Sequence, residues 1–171
     1  GSAYGQLGDQ AKKRDILERA LAIKERAYGH DHPEVAQTLM NLGNAYMGLG
    51  DYTKQRDLQE RSLAIKERTY GRDHPEVAGT LTNLGTAYGK LGENAKARDV
   101  LERALAINER TYGRDHPNVA ITLMNLGVAY GQLGDAAKKR KYVTRAVKIF
   151  DAAYGPDHPH AKFYENVLNA M

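Results

Sequence analysis

Three asparagines, Asn41, Asn83 and Asn125, recur at intervals of 42 residues in this sequence of 171 residues. An asparagine side chain carries two hydrogen-bond donors and an acceptor, and a peptide backbone offers groups that pair with both kinds. A regular row of such amides could therefore hold an extended polypeptide without reading its sequence. The same amides could equally bond a neighbouring loop or helix end inside the protein, and the spacing alone leaves both interpretations open.

Histidines also recur with this period, which raises the question of a metal site. An Asp-His-Pro triplet occurs every 42 residues and contains His32, His74, His116 and His158. Zinc needs ligand nitrogens about 2 Å from one centre, whereas packed helices lie about 8–10 Å apart. We therefore predict no metal site, and we interpret the triplet as the start of a helix, because proline suits a first helical turn.

The sequence offers little support for an enzyme. It contains no cysteine, no glycine loop with phosphate-binding spacing and no H-E-x-x-H motif. Many acidic residues stand four positions from a basic one on a predicted helix, and such pairs stabilise exposed helix surfaces. Examples are Arg14 with Glu18, Arg56 with Glu60 and Arg98 with Glu102. We expect a protein that is not an enzyme and that binds no cofactor.

Charge and composition exclude other classes of protein. Lysine and arginine number 25 against 21 aspartates and glutamates, so the net charge is only +4, with both signs interleaved. A hydrophobic fraction of 42% is too high for a disordered chain. No apolar run approaches the roughly 18 residues of a membrane span, and no targeting segment is visible, so we expect a cytoplasmic protein. Residues 1–2, Gly-Ser, resemble an expression scar.

The chain consists of one unit repeated about four times. Residues 3–44 laid on residues 87–128 agree at 31 of 42 positions. Near-identical units meet near-identical neighbours, which is the condition for a stacked, quasi-one-dimensional array. We therefore predict a single domain over residues 3–171.

Each repeat contains two predicted helices joined by short connections. The first begins at the Asp-His-Pro triplet and carries apolar residues at helical spacing. The second follows a Leu-Gly-Asp segment and ends at a Tyr-Gly pair, with an apolar stripe that in one copy comprises Leu58, Ser62, Leu63 and Ile65. The predicted helices cover about 3–6, 10–28, 33–47, 52–70, 75–89, 94–112, 117–131, 136–154 and 159–170. The array is thus expected to begin in a truncated first helix and to end in a capping helix within 159–171.

Two local features of the first helices carry structural predictions. A residue before the proline should cap the helix, and we favour Asp31 over His32, because Asp31 and the glutamate three residues later fit a capping box. Glycine recurs in mid-helix at Gly43, Gly85 and Gly127, where it costs about 1 kcal/mol relative to alanine. We therefore predict that the partner helix approaches too closely there for a side chain to fit.

The first helix of each repeat carries the pattern Leu-x-x-Leu-Gly-x-x-Tyr, which begins at Leu39, Leu81 and Leu123. This pattern resembles the opening of the tetratricopeptide repeat, whose usual period is 34 residues. The 42-residue form is similar to the repeats of kinesin light chain. The resemblance implies an all-α fold, a right-handed α-solenoid of antiparallel helix pairs. The second helices depart from the family pattern of a small residue followed by a bulky one, which only Ala97 with Leu101 approaches, so the helix pairs should pack in a non-standard way.

The same resemblance implies that the first helices line a concave face that commonly holds an extended peptide. The protein is therefore expected to be a protein-interaction scaffold. In kinesin light chain repeats, asparagines at this position contact the cargo backbone, which assigns peptide binding to Asn41, Asn83 and Asn125. The further lining residues are expected to be Met40, Asn44, Thr82, Thr86, Lys90, Met124 and Val128. This mostly neutral lining favours a neutral or mildly apolar partner segment over one that ends in an acidic motif.

Two other functions stay open at this point. The array could be a structural spacer, or it could self-associate weakly head to tail through its N-terminal face, without a peptide ligand. The basic residues within 138–148 could instead bind nucleic acid or another acidic partner, although no aromatic platform accompanies them. A solvated end cap is the simpler explanation of that charge, and we favour it.

Overall fold

A computed structural model describes the backbone of residues 3–155 and the side chains of residues 7–155, so the predicted capping helix at 159–171 lies outside the described residues. Within the described part, the chain forms an all-α helical repeat solenoid without strands. Its helices are α1 Ala3–Tyr28, α2 Pro33–Gly48, α3 Tyr52–Tyr70, α4 Pro75–Lys90, α5 Asn94–Tyr112, α6 Pro117–Gln132 and α7 Ala136–Tyr154. None of these helices is long and apolar enough to cross a membrane.

Successive helices pack against each other as antiparallel neighbours, because the connections between them are only a few residues long. The first helices of the repeats, α2, α4 and α6, also contact one another. No such contact occurs among the described second helices, α1, α3, α5 and α7. The first helices therefore form the more closely spaced, inner layer of the array, and the surface that they line is its concave face.

The predicted helix boundaries agree with the structure to within one residue from α2 to α7. Glycines with positive φ end the helices, as at Gly50, where φ is 78°, and at Gly71, where φ is 89°. The predicted break at Gly8 is wrong, because α1 is one helix and not two segments at 3–6 and 10–28. Gly50 turns the chain between two packed helices, whereas no helix packs back onto α1 at Gly8 among the described residues. Continued helical hydrogen bonding is the favourable alternative there.

The cap of each first helix is the histidine, so the prediction of Asp31 is wrong. His32, His74 and His116 have extended backbones with ψ of 143–144°, because the following proline disfavours the helical region. The Nδ1 atom of each ring accepts a hydrogen bond at 3.1–3.2 Å from the backbone N–H two residues later. Each ring also stacks on the tyrosine four residues earlier. The carboxylate of Asp31 instead pairs with Arg68 at 2.8 Å.

The mid-helix glycines confirm the predicted close approach of the partner helix. A Cβ atom built on Gly85 would lie 2.4 Å from Cγ of Leu101. The nearest side-chain atom would lie 2.6 Å away at Gly127 and 2.7 Å away at Gly43. Since these separations are shorter than real Cβ contacts, a side chain at any of these positions would force its neighbour to shift, so glycine is favoured there by packing and not by backbone conformation.

The buried face of α3 is more polar than the predicted apolar stripe. Ser62 and Ile65 are buried as predicted, whereas Leu58 and Leu63 are only half-buried. The other buried residues of this helix are Gln55, Gln59 and Lys66. Polar side chains can be buried here because each one reaches a hydrogen-bond acceptor on a neighbouring helix.

The two glutamines of α3 join the helices on either side of it. Nε2 of Gln59 donates to the carbonyl oxygen of Met40 on α2 at 3.1 Å. Nε2 of Gln55 donates to the carbonyl oxygen of Asn83 on α4 at 3.2 Å. The Oε1 atoms of both glutamines are buried without a hydrogen-bond partner among the described residues. The polar contacts of α3 therefore satisfy the donors of these side chains and leave their acceptors unpaired.

An arginine on each second helix after α1 fastens that helix to the preceding repeat. Each of these arginines also donates to a backbone carbonyl in the loop that precedes the first helix of its repeat. Because the contact recurs in every described repeat, it contributes to a regular stacking of neighbouring units. The pairs are Arg61 with Glu25 at 2.6 Å, Arg103 with Glu67, and Arg145 with Glu109 at 2.5 Å.

The predicted pairs between arginines and glutamates four residues apart do not form. Arg14 bonds the adjacent Asp15 at 2.6 Å, and Glu18 accepts a hydrogen bond from the hydroxyl of Tyr46. The tyrosine reaches the glutamate from the packed neighbouring helix, a contact that the pattern within one helix cannot reveal. The equivalent contacts are Arg56 with Asp57, Arg98 with Asp99, Tyr88 with Glu60, and Tyr130 with Glu102.

Candidate functional site

A groove lies between α4 and α6 on the concave face of the array. Two hollows follow one another along it, one of about 340 Å³ near the start of both helices and one of about 220 Å³ near their ends. On α4 they extend from Pro75 to Lys90, which corresponds to about 22 Å at the rise of an α-helix. We refer to this surface, formed by residues 75–90 and 118–132 with the side chains beneath them, as the α4–α6 groove.

The larger hollow has a polar floor that comes partly from the second helices. Lys66 of α3 and Asn108 of α5 line it, and both are almost fully buried. The amide of Asn108 donates to Oγ1 of Thr122 at 3.1 Å. Neither Lys66 nor Asn108 is among the lining residues predicted from the sequence, because those residues lie on first helices alone. The signal that could have found them is a polar residue at the same position of two successive second helices, directly after the buried Ile65 and Ile107.

Lys66 places a positive charge at an almost fully buried position. Its Nζ donates to the backbone carbonyl of Glu76 at 3.2 Å and lies 3.6 Å from Oε2 of the same residue. Burial lowers the pKa of Lys66, and the attraction of the Glu76 carboxylate opposes this shift. One repeat earlier, Lys24 and Glu34 form the same pair at 2.7 Å with more exposed side chains. Among the described repeats, only the Lys66 pair thus places an almost fully buried cation beneath the groove.

The smaller hollow is lined mainly by small and apolar residues, including Gly89, Ala97 and Val128. Across its floor, Nδ2 of Asn125 on α6 donates to Oγ1 of Thr86 on α4 at 3.3 Å. A similar contact crosses the larger hollow, where the hydroxyl oxygens of two threonines, one from each helix, lie 3.5 Å apart. These contacts hold α4 and α6 at a fixed separation beneath the groove.

The structure divides the predicted row of asparagines. Asn83 lines the larger hollow of the groove, and Asn125 lines the smaller one. Asn41 lies outside the groove, in an open hollow between α1 and α2 that Ile16 also lines. Its Oδ1 accepts a hydrogen bond from Gln37 at 3.4 Å. Two of the three asparagines therefore share one surface, and the third stands apart.

Most of the other predicted lining residues also reach the groove. They are Met40 and Thr82 in the larger hollow, and Thr86, Lys90 and Val128 in the smaller hollow. Met124 does not, since it is 4% exposed and belongs to the buried cluster of α6 and α7, where Phe150 occupies the position that Asn108 has in α5. Asn44 lines neither hollow, and its Oδ1 accepts a hydrogen bond from Gln59 at 3.2 Å.

The α4–α6 groove combines amide groups with exposed apolar side chains. On α6, Ile121 and Val128 are 46% and 50% exposed and lie two helical turns apart. Asn125 stands between them on the same face. Its amide uses one donor on Thr86, which leaves a second N–H and further acceptor capacity on Oδ1. Such a surface can pair with a peptide backbone while it covers apolar side chains.

The basic residues of α7 are partly engaged within the fold. Arg145 pairs with Glu109, and Nζ of Lys138 lies 3.7 Å from Oδ2 of Asp135. The stem of Lys139 packs closely over a glycine of α6. Fewer cations are therefore available to an acidic partner than the number of basic residues within 138–148 suggests.

The histidines and carboxylates are dispersed rather than gathered. Among the described residues, no three histidine, aspartate or glutamate side chains lie close enough to hold a metal ion. His32, His74 and His116 each face the backbone of the helix that they cap. His30, in the first of the loops, lies 3.3 Å from Glu25.

The sequence profile of the tetratricopeptide repeat family matches this chain at residues 1–54, 34–110 and 83–152. Because these matches together cover most of the sequence, the chain belongs to the tetratricopeptide repeat family. Such repeats generally serve as protein–protein interaction modules and are typically found in scaffolds without enzymatic activity. A search of curated proteins found no match.

Solved structures of kinesin light chain-like proteins share the fold. A variant of a kinesin light chain-like protein from Podosopora anserina, with nearly identical TPR-like repeats, is 25% identical with a TM-score of 0.81. The match covers 98% of this chain and 79% of that chain. A second structure of that protein is 24% identical with a TM-score of 0.80. BtubC (BKLC) from P. vanneervenii is 29% identical with a TM-score of 0.76, over 89% of this chain and 60% of that chain.

Proposed function

We propose that this chain is a protein-interaction module that binds an extended segment of a partner protein in the α4–α6 groove. The observation that carries the proposal is the presence of Asn83 and Asn125 in one groove that also exposes Ile121 and Val128. Hydrogen-bonding amides and apolar contact surface occur there together on the concave face. Family membership supports the general class of function, and the groove supports its location.

The dimensions of the groove define the length of the bound segment. An extended chain advances about 3.3 Å per residue, so a groove of about 22 Å would hold about seven residues. The amides would pair with the backbone of this segment, which supplies affinity without strict sequence requirements. The contacts between α4 and α6 beneath the groove preserve its shape, so binding would require little reorganisation.

The charge of the groove indicates a neutral or mildly apolar segment. Lys66 and Glu76 largely offset each other, and Lys90 is the other cation that lines the hollows in the described part of the chain. A segment that ends in several acidic residues would need several free cations. The exposed Ile121 and Val128 instead offer apolar contact to the bound segment.

A peptide-display selection on the parent chain and on matched variants tests this proposal. The groove variant is Asn83→Ala combined with Asn125→Ala, and the control is Asn41→Ala, which removes the same amide from outside the groove. We expect the groove variant to bind the enriched peptides about tenfold more weakly, since each lost hydrogen bond contributes about 0.5–1.5 kcal/mol. The control should bind them as the parent does.

Thermal unfolding followed by circular dichroism establishes whether all three proteins are equally folded before their binding is compared. Peptides that bind the folded groove variant as tightly as the parent would overturn the assignment of Asn83 and Asn125. An absence of enriched peptides on the parent would overturn the proposal as a whole and would favour a structural spacer.

A further inference from the structure

The smaller hollow of the α4–α6 groove is open because small residues line it from two helices. Gly89 belongs to α4, and Ala97 belongs to α5, the second helix of the same repeat. A Cβ atom built on Gly89 would meet only Oε1 of Gln132, at 4.0 Å. Val128 and Ala129 of α6 add apolar lining, and the polar residues that also line the hollow are Thr86, Lys90, Asn125 and Gln132. We refer to this hollow as the Ala97 pocket.

The equivalent places in the neighbouring repeats are occupied by side chains of the chain itself. One repeat earlier, the two positions carry Met47 and Gln55, and Gln55 is fully buried against the backbone of Asn83. One repeat later, they carry Gly131 and Lys139, and Cδ of Lys139 lies 2.8 Å from a Cβ atom built on Gly131. Among the described repeats, only the middle one combines two small residues. The pocket is therefore a local departure from the repeat pattern.

The size and lining of the Ala97 pocket define what it can accept. Its volume is about 220 Å³, and an apolar cavity of about 150 Å³ already holds benzene. Val128 is 50% exposed and stands over a floor that contains the almost fully buried Ala97 and Ala129, so most of the accessible lining surface is apolar and favours an apolar occupant. Lys90, which is exposed and also lines the pocket, disfavours a cationic side chain.

We propose that the Ala97 pocket receives one large apolar side chain, aliphatic or aromatic, from the segment bound in the α4–α6 groove. This inference rests on the proposed function and adds the feature that selects among partner sequences. The amides hold the backbone of the segment whatever its sequence, whereas the pocket requires an apolar residue at one position. Partner segments should therefore share one apolar residue within an otherwise variable stretch.

An NMR titration of methyl-labelled protein tests the pocket without a known partner. The probes are N-acetyl-leucine amide and N-acetyl-phenylalanine amide, each with one apolar side chain, and N-acetyl-lysine amide serves as the cationic comparison. We expect one or both apolar probes to shift the methyl signals of Val128 and Ala129, and the lysine probe to shift neither. A response to one probe but not the other would show whether the pocket prefers aliphatic or aromatic side chains.

Two variants fill the pocket with residues that the fold already holds one repeat earlier. Ala97→Gln introduces the side chain of Gln55, and Gly89→Met introduces the side chain of Met47. We expect the affinity of each variant for the apolar probes to fall by at least about tenfold, because the added side chain fills the space that the probe would occupy. Ala104→Ser is the matched control, because it places the residue of the equivalent Ser62 in the same helix outside the pocket.

The proposal is overturned if the filled variants bind the apolar probes as the parent does, or if the shifts map to another surface. The peptide selection then separates the two proposals. The enriched peptides could lack a fixed apolar residue and bind Ala97→Gln but not the variant with Asn83→Ala and Asn125→Ala. That result would support binding in the groove and overturn the proposal for the pocket. Binding of the probes at the pocket without any enriched peptide would instead overturn the proposed function and support only the apolar preference of the pocket.

Discussion

Glycines within one helix have opposite structural roles in this protein. A Cβ atom on Gly85 would lie 2.4 Å from Cγ of Leu101, whereas no atom of a neighbour lies within 4 Å of a Cβ atom on Gly79. Both glycines lie in α4, and helix propensity alone predicts that alanine would stabilise either position by about 1 kcal/mol. Packing against α5 therefore determines whether alanine stabilises or destabilises the protein at Gly85, whereas helix propensity determines it at Gly79.

We expect Gly79→Ala to raise the free energy of unfolding by up to about 1 kcal/mol, because it removes backbone freedom from the unfolded chain. We expect Gly85→Ala to lower it by about 1–3 kcal/mol, because the added methyl group forces α5 away. Urea unfolding of both variants beside the parent measures the difference. Equal effects of the two substitutions would contradict this account.

Tyrosine hydroxyls that bind glutamates have raised pKa values. The hydrogen bond to Glu18 is the main cause that raises the pKa of Tyr46 to about 12. Burial, together with the bond to Glu102, raises the pKa of Tyr130 to about 12. The pKa of Tyr88 is raised by the same two causes, with burial the larger. Each hydroxyl therefore stays protonated in the folded protein at pH values above the ordinary pKa of tyrosine.

These shifts predict a loss of stability at alkaline pH. The pKa of an unfolded tyrosine is about 10, so each raised folded-state pKa adds stability that is fully present below pH 10 and is lost as the pH rises through about 12. We expect urea unfolding to show this decline in the parent, and a smaller decline when Tyr46, Tyr88 and Tyr130 are all changed to phenylalanine. An identical pH profile for the two proteins would count against the tyrosine contacts.

Among the helices, α3 has the most polar buried face. Gln59 packs against Gly43 where Leu101 packs against Gly85 one repeat later. Nε2 of Gln59 donates to a backbone carbonyl, but its Oε1 is buried without a partner among the described residues. The same backbone arrangement thus holds a glutamine in one repeat and a leucine in the next, and only the leucine leaves no polar atom unpaired.

We expect Gln59→Leu to raise the free energy of unfolding by about 1–3 kcal/mol, because an unpaired buried polar atom is destabilising by about that amount. Leu101→Gln is the reverse exchange and should lower it. Urea unfolding measures both. A decrease for Gln59→Leu would show that the hydrogen bonds donated by Gln59 outweigh its unpaired oxygen.

The boundaries of the helices could be predicted from the sequence because they depend on local chemistry. Proline at the start of each first helix, and glycine after each second helix, fix backbone conformations within a few residues, as at Pro75 and Gly71. The cap was assigned to the wrong residue because Asp31 and His32 both suit the position, and only the backbone geometry before proline favours the histidine. Gly8 shows the reverse case, in which the same local sequence lacks the packed neighbour that makes it a turn.

The candidate site was predictable only where it depends on the repeat. The period placed Asn83 and Asn125 on equivalent helices, and stacking brought both into the groove. Met124 is buried because α7 offers a more apolar surface than α5, a difference between repeats that the period conceals. The Ala97 pocket could not be predicted, because it arises from side chains that are small on two helices at once.

At the scale of the whole molecule, α3 and α5 each contact a first helix on both sides, whereas α1 contacts α2 alone among the described helices. Ile16 and Ile23 of α1 are 66% and 67% exposed. Ile65 and Ile107, which occupy the position of Ile23 in later repeats, are 2% and 1% exposed. The described structure of α1 thus presents to solvent an apolar face that the later repeats bury.

Self-association through α1 stays a prediction that this exposed face supports. We expect sedimentation equilibrium to show weak association of the parent that increases with concentration. Ile16→Glu combined with Ile23→Glu should abolish it, because burying unpaired charges is strongly unfavourable. Ala106→Glu, which adds the same charge at an exposed position of α5, is the control. A parent that is monomeric at every concentration would contradict the prediction.

The proposed binding of an extended partner segment in the concave α4–α6 groove can be tested at the apolar wall of the groove. The test compares the enrichment of a peptide-display library on the parent, on Val128→Lys and on Ala106→Lys. The first variant places a charge at the half-exposed apolar wall of the groove, and the second places it on the outer layer. We expect strong enrichment on the parent and on Ala106→Lys, with little or none on Val128→Lys. Equal enrichment on all three proteins, or none on the parent, would contradict it.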